Sequence, residues 1–244
     1  MKGRVHIMKT RQEIKAIAKT QFKANYWNCV LALLLVSVVL GVISVIGSAQ
    51  NVQQITSGGD GAVSATLSVR AGVGGLLSLL LSGPLTIGLN FFFVKNYIGA
   101  RDEISVTTPF SQAFTNYPRK LGGSLWMALF IFLWSLLFII PGIIKTFSYS
   151  MTEFILADCP NVKARDALKL SKRIMKGHKG ELFVLYLSFI GWGILTALTV
   201  GILGIFYTGP YMQSTFAGYY LEVREEALRT GAVTIEQLSG TQPV

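Results

Sequence analysis

Residues 182–221 read LFVLYLSFIGWGILTALTVGILGIFYTGPYMQSTFAGYYL, 40 residues between Glu181 and Glu222 without one charged side chain. A helix needs about 20 apolar residues to cross the ~30 Å hydrocarbon core of a bilayer. As one helix this stretch would be about 60 Å long at 1.5 Å per residue, so it must fold back on itself, and it predicts two adjacent membrane spans. Lipid offers no partners to free backbone N–H and C=O groups, and the run lacks the alternation of a barrel strand, so the spans are helical.

The same reading extends outward. Uncharged runs of 36 residues between Lys23 and Asp60, 24 between Arg70 and Lys95, and 24 between Lys120 and Lys145 precede it. Of the 244 residues, 51% are hydrophobic and 14% charged, against roughly a quarter charged in soluble domains. That balance argues against a soluble enzyme, a disordered chain and a secreted disulfide scaffold. The expected fold is all-α: a polytopic transmembrane bundle over 27–221, with spans at Trp27–Ala49, Ala71–Val94, Leu121–Trp134, Leu136–Ala157, Leu182–Leu198 and Gly201–Leu221. The turn between the third and fourth spans has an alternative place at Pro141-Gly142, a strong turn dipeptide. Residues 1–26 and 222–244 form tails, and the basic start followed by a long first apolar run does not read as a cleaved signal peptide.

Lysine and arginine placement sets the orientation. Residues 1–26 hold seven, 95–120 four, 158–181 seven and the C-terminal tail two, leaving only Arg70 and Lys145 for the other side. Both termini are therefore expected in the cytoplasm, and the net charge of +10 implies attraction to anionic inner-leaflet lipid. Nucleic acid is the weaker reading, because the basic residues are spread over juxtamembrane segments with no recognition motif. Cys29 and Cys159 both fall near the cytoplasmic side, where a structural disulfide is not expected.

A repeat emerges when the cytoplasmic segments are compared. Each reads as a basic amphipathic helix leading into a span. In the first, Ile14, Ile17, Ala18 and Phe22 share one face, with Arg11, Lys15, Lys19 and Lys23 every four residues on another. In the second, near 108–118, Phe110, Ala113, Phe114 and Tyr117 form the apolar face behind Thr108 as N-cap and Pro109 at the first helical position. In the third, near 163–177, Ala164, Ala167, Leu168, Ser171, Ile174 and Met175 keep helical spacing among Lys163, Arg165, Lys169, Lys172, Arg173 and Lys176. Each returning span carries a proline (Pro84, Pro141, Pro210) with an aromatic six or seven residues on (Phe91, Phe147, Phe216). Three parallel hairpin repeats, each preceded by a cytoplasmic amphipathic helix, are the expected architecture.

Those features sit within segments that carry a family resemblance. Met8-Lys9-Thr10-Arg11, IPGIIKTFSYSMTEFILAD at 140–158, ALKLSKRIMKG at 167–177, LSFIGW at 187–192 and Pro210-Tyr211-Met212-Gln213 together resemble the domain-of-unknown-function 975 family of bacterial polytopic membrane proteins. The resemblance covers nearly the whole chain from Met8 and marks Met8 as an alternative initiator. It implies a bacterial cell-membrane location and supplies no activity. Lys163 departs from the small hydroxyl residue usual at that helix start, and Glu153 from an often uncharged position. The hairpin-plus-basic-helix layout is more distantly similar to the membrane domain attached to some glycerophosphodiester phosphodiesterases, without their catalytic domain.

Candidate functional residues fall in two sets. Lys145, Tyr149 and Glu153 at i, i+4 and i+8, with Ser148 and Thr152 beside them, put a polar face on the fourth span, and Asn90 is a lone amide in the second. Charges inside a span usually mark a pathway or a partner, so this face either lines a polar cavity between repeats or snorkels to the two interfaces. Gly74, Ser78 and Ser82 make a small-residue stripe for close packing. The second set, Arg11, Lys15, Lys19, Lys23, Lys169, Lys172, Arg173 and Lys176, is expected to contact anionic lipid. His6 and His178 stand in no catalytic motif, and no nucleotide loop, zinc run or nucleophile elbow occurs. The expectation is a non-enzymatic membrane protein without cofactor, whose partners are anionic lipids and a membrane-protein or identical subunit. The alternative is a small-solute, ion or lipid transporter using the cavity.

Overall fold

The computed structural model describes residues 8–55, 73–137 and 139–242, and all regular structure among them is helical. Lys2, Arg4, His6, Arg70 and Gly72 lie outside the described residues, as do the surroundings of Gly74. The order is α1 (Arg11–Ala24), α2 (Tyr26–Ile55), α3 (Val73–Tyr97), α4 (Thr108–Phe114), α5 (Tyr117–Leu137), α6 (Ile139–Tyr149), α7 (Thr152–Asp158) and α8 (Ala164–Ile174). Then come α9 (Lys179–Leu187), α10 (Ile190–Leu198), a π-turn at Gly204–Thr208, α11 (Gly209–Arg229) and a short α12 (Ile235–Leu238).

The core is largely apolar, yet it encloses several polar groups while large apolar side chains stand outside. Asn96, Thr152, Ser214 and Thr215 are fully enclosed, whereas Leu136, Leu198 and Val200 are 74%, 78% and 91% exposed. Two helical stretches among the described residues, Tyr26–Ile43 and Lys179–Leu198, are long and apolar enough to cross a membrane, and most of each stretch lies unburied within the molecule.

Local chemistry explains where helices start, bend and stop. Thr10 caps α1 reciprocally: the Glu13 N–H donates to its hydroxyl, and the Glu13 carboxylate accepts from the Thr10 N–H at 2.7 Å, satisfying two otherwise orphaned donors. Ile14, Ala18 and Phe22 then form the buried stripe of α1. Pro84 lies inside α3 and has no N–H for the carbonyl four residues back. That carbonyl, Leu80 O, accepts instead from the Tyr117 hydroxyl at 3.1 Å, so the first turn of α5 repairs the defect in α3. Small residues bring these elements together. A Cβ on Gly83 would meet Ser124 of α5, and one on Gly88 would meet the backbone carbonyl of Pro109 in α4.

Several boundaries differ from the sequence expectation. The third helix ends at Leu137 and α6 starts at Ile139, not at residues 134–136. Pro141 and Gly142 lie inside α6, where a first-turn proline costs no hydrogen bond, so the alternative turn there is excluded. The expected fourth span is broken at Ser150-Met151 and the fifth at Ser188-Phe189. At the first break the Ser148 carbonyl accepts from the Ser171 hydroxyl at 2.9 Å, and Ser150 bonds back to Phe147 O. In α4 Thr107, not Thr108, occupies the N-cap position, and Thr108 accepts from the Ser105 N–H instead. Its enclosed face is Thr108, Pro109 and Ala113, while Phe114 is exposed and stacks on Tyr117.

The α3–α4 approach gives a controlled test. Gly88→Ala forces the backbone of Pro109 away, an overpacking cost of about 1–3 kcal/mol, and is expected to lower the melting temperature of the detergent-solubilised protein. Gly41→Ala, whose Cβ would meet nothing within 4 Å, should not lower it, since alanine is the better helix former.

Candidate functional site

The π-turn before α11 follows from Pro210, which cannot supply a regular helical N–H. The Gly209 N–H bonds back to Gly204 O, a five-residue step. A Cβ on Gly209 would press on Leu33 of α2 at 2.7 Å, so this glycine lets α11 approach α2. Below this contact α2, α3, α7, α9 and α11 enclose a partly open cavity of about 290 Å³. Its polar wall comprises Thr86, Asn90, Ser150, Glu153, Tyr186 and Gln213, and its apolar wall includes Phe154, Met212 and Phe216.

Glu153 sits in the first turn of α7, where the positive end of the helix dipole favours a carboxylate. Asn90 Nδ2 donates to Glu153 Oε2 at 3.4 Å. Among the described residues no basic side chain forms an ion pair with Glu153. The hydroxyls of Thr86 and Ser150 are committed as donors to Ser82 O and Phe147 O. The cavity thus holds one carboxylate, two side-chain amides and several aromatic rings.

The five residues expected at a polar cavity divide. Asn90 and Glu153 line it. Lys145 is not part of its wall: the ammonium lies 4.3 Å over the Trp134 ring. Tyr149 is buried with its ring 6.3 Å from Phe130, and Thr152 is enclosed with an unpartnered hydroxyl. The i, i+4, i+8 face is interrupted by the break at Ser150-Met151, and of its three residues Glu153 alone lines the cavity. Gln213 and Tyr186 are cavity residues that were not singled out. A lone amide within the 40-residue uncharged run was the available signal for Gln213.

The basic residues also divide. Lys15 donates to Ser188 Oγ at 2.6 Å and lies 4.3 Å over the Phe189 ring, at the α9–α10 break. Burial holds its ammonium below the ordinary range. Arg11 borders a second cavity with Glu181 and Tyr219. Lys169 pairs with Asp166 at 3.3 Å on the exposed face of α8. Lys19, Lys23, Lys172, Arg173 and Lys176 are exposed.

A cluster of charged side chains fixes the opposite end of α11. Lys9 pairs with Glu222, and the Lys9 N–H also reaches that carboxylate at 3.2 Å. Asp158 pairs with Arg224 and accepts from the Tyr220 hydroxyl at 3.0 Å. The Arg119 guanidinium donates to Leu156 O, Cys159 O and Val162 O at 2.5, 2.9 and 2.6 Å, closing the negative end of α7. Burial, with Asp158 beside it, pushes the Cys159 thiol up to about 11, which keeps it protonated and unreactive.

Lys120 is enclosed beside Arg119 and donates to Gln112 O. Burial and then the Arg119 charge push it down to about 8 from 10.5. Between those values the unfolded chain binds more protons than the folded one, so this residue's contribution to stability rises with pH. The wild type is expected to gain melting temperature relative to Lys120→Met as pH is raised from about 8 to about 10. Parallel pH profiles would show that Lys120 does not titrate in this window.

A family model described as "Protein of unknown function (DUF975)" matches residues 8–148 and 136–227. No curated protein and no solved structure matches the chain.

Proposed function

We propose, for a chain that belongs to the DUF975 family, a role as a non-enzymatic integral membrane protein of six spans with both termini cytoplasmic. The spans are α2, α3, α5 from Leu121 onward, α6–α7, α9–α10 and the π-turn with the first part of α11. They group as three hairpins, each introduced by α1, α4 or α8. The observation that carries this reading is the apolar exterior: the large side chains left outside along α2, α9 and α10 are apolar, on stretches long enough to cross a membrane. Lipid is the solvent in which that arrangement costs least.

On this reading the basic face of α8 rests on the anionic leaflet. Lys172, Arg173 and Lys176 point outward while Ala167, Leu168, Leu170 and Ile174 are buried. Lys15 contributes less, since its ammonium is already held by Ser188 and Phe189. An identical subunit or another membrane protein is the partner class that the remaining apolar surface suits.

A second reading, transport or binding of a small ligand, is favoured by one specific feature: Asn90 and Glu153 meet in a cavity large enough to hold something.

Lipid preference tests the first reading. With the protein reconstituted in vesicles, tryptophan quenching by brominated phosphatidylglycerol should exceed quenching by brominated phosphatidylcholine. Changing Lys169, Lys172, Arg173 and Lys176 together to Gln should erode that preference, each being worth about 1 kcal/mol near an anionic surface. Equal quenching by both lipids in the wild type would remove the leaflet-binding role.

A further inference from the structure

We infer that the cavity around Glu153 is a binding site for a small organic cation, an ammonium group carried on a short apolar or hydroxylated body. This inference rests on the ligand-binding reading above and names its ligand class. The negative partner is Glu153, which lines the space without a basic side chain paired to it among the described residues. A cation is the complement of an unpaired carboxylate held in a mostly apolar wall, where a lone charge is costly.

The rest of the wall selects among cations. A desolvated magnesium or calcium ion takes six or more oxygen ligands. Here one carboxylate faces the space, and no group of three or more potential His, Cys, Asp or Glu ligands occurs among the described residues. What the wall does offer is aromatic surface. Tyr186 and Phe216 lie with ring centroids 4.4 Å apart, and Phe154 stacks on Tyr220 at 5.4 Å. Aromatic faces attract ammonium groups, most strongly when the site is desolvated. Asn90 and Gln213 can hydrogen-bond a hydroxyl or amine on the same ligand. The volume of about 290 Å³ lies just under the ~300–1,000 Å³ typical of drug-sized ligands, which suits a compact head rather than a long chain.

Two sources present this chemistry: a free amine such as choline or ethanolamine, and the ammonium headgroup of a phospholipid. Glu153 lies five residues from Asp158, at the end of the bundle fixed by Arg224 and Arg119, so both sources are considered. The experiment uses the full chain purified in detergent. Binding of radiolabelled choline and ethanolamine is measured by scintillation proximity, and co-purifying phosphatidylethanolamine and phosphatidylglycerol by native mass spectrometry.

Saturable binding of a free amine, lost about tenfold or more in Glu153→Gln as expected for a charge-assisted contact, supports the free-ligand form. Retention of phosphatidylethanolamine over phosphatidylglycerol, lost in the same variant, supports the lipid form. Lys145→Ala should change neither. Phe216→Leu, which keeps the carboxylate, should weaken binding as well and serves if Glu153→Gln elutes aggregated. Absence of both kinds of binding, or Glu153→Gln and Phe216→Leu binding like wild type, overturns the inference. Because binding is read in detergent, either result leaves the membrane arrangement to be judged on topology alone.

Discussion

Apolar surface has to be covered by something, and beyond its apolar core this chain leaves many large apolar side chains outside. The core is largely apolar and encloses a few amides, hydroxyls and a carboxylate, while further leucines, isoleucines and valines stand outside. The remaining features of the structure can be read as consequences of that choice. At three irregularities the backbone carbonyls find a side-chain donor from another helix. Tyr117 supplies one for the carbonyl orphaned by Pro84, Ser171 one for the break after α6, and Arg119 three for the end of α7. These are repairs made across helices, and each ties two elements together.

The repairs also position the cavity. Beyond the break at Ser150-Met151, Glu153 meets Asn90, while Lys145 on α6 lies over Trp134. The Asp158–Arg224 pair and the Arg119 cap hold the other end of α7. Gly209 and Pro210 admit α11 close to α2, which places Gln213 and Phe216 on the far wall. The two lysines with polar candidates nearby are instead absorbed by aromatic rings, Lys145 by Trp134 and Lys15 by Phe189.

Much of the helical content was legible in the sequence, because uncharged runs flanked by lysine and arginine leave few alternatives to long apolar helices. The helix breaks were not. Ser148, Ser150 and Ser188 can bond back to their own helix or accept a neighbour's donation, and only the tertiary arrangement decides between them. Asn90 and Glu153 were each visible as isolated polar groups, but nothing in their spacing revealed that they meet 63 residues apart. The capping box at Thr10–Glu13 follows a local pattern that sequence displays openly, whereas the pairing of Lys9 with Glu222 depends on how α1 lies on α11. Lys15 belonged to a regular basic stripe, and its partner at the α9–α10 break was invisible because that break was itself not expected.

The central claim is that lipid surrounds these helices with the basic ends on the inner side. Replacing Cys29 and Cys159 with Ser and introducing one cysteine at Thr241 allows the tail to be labelled with a membrane-impermeant maleimide. Labelling only after the cells are permeabilised, with the protein retained in the membrane after an alkaline carbonate wash, is the predicted result. Labelling of intact cells, or release of the protein by the wash, would contradict it.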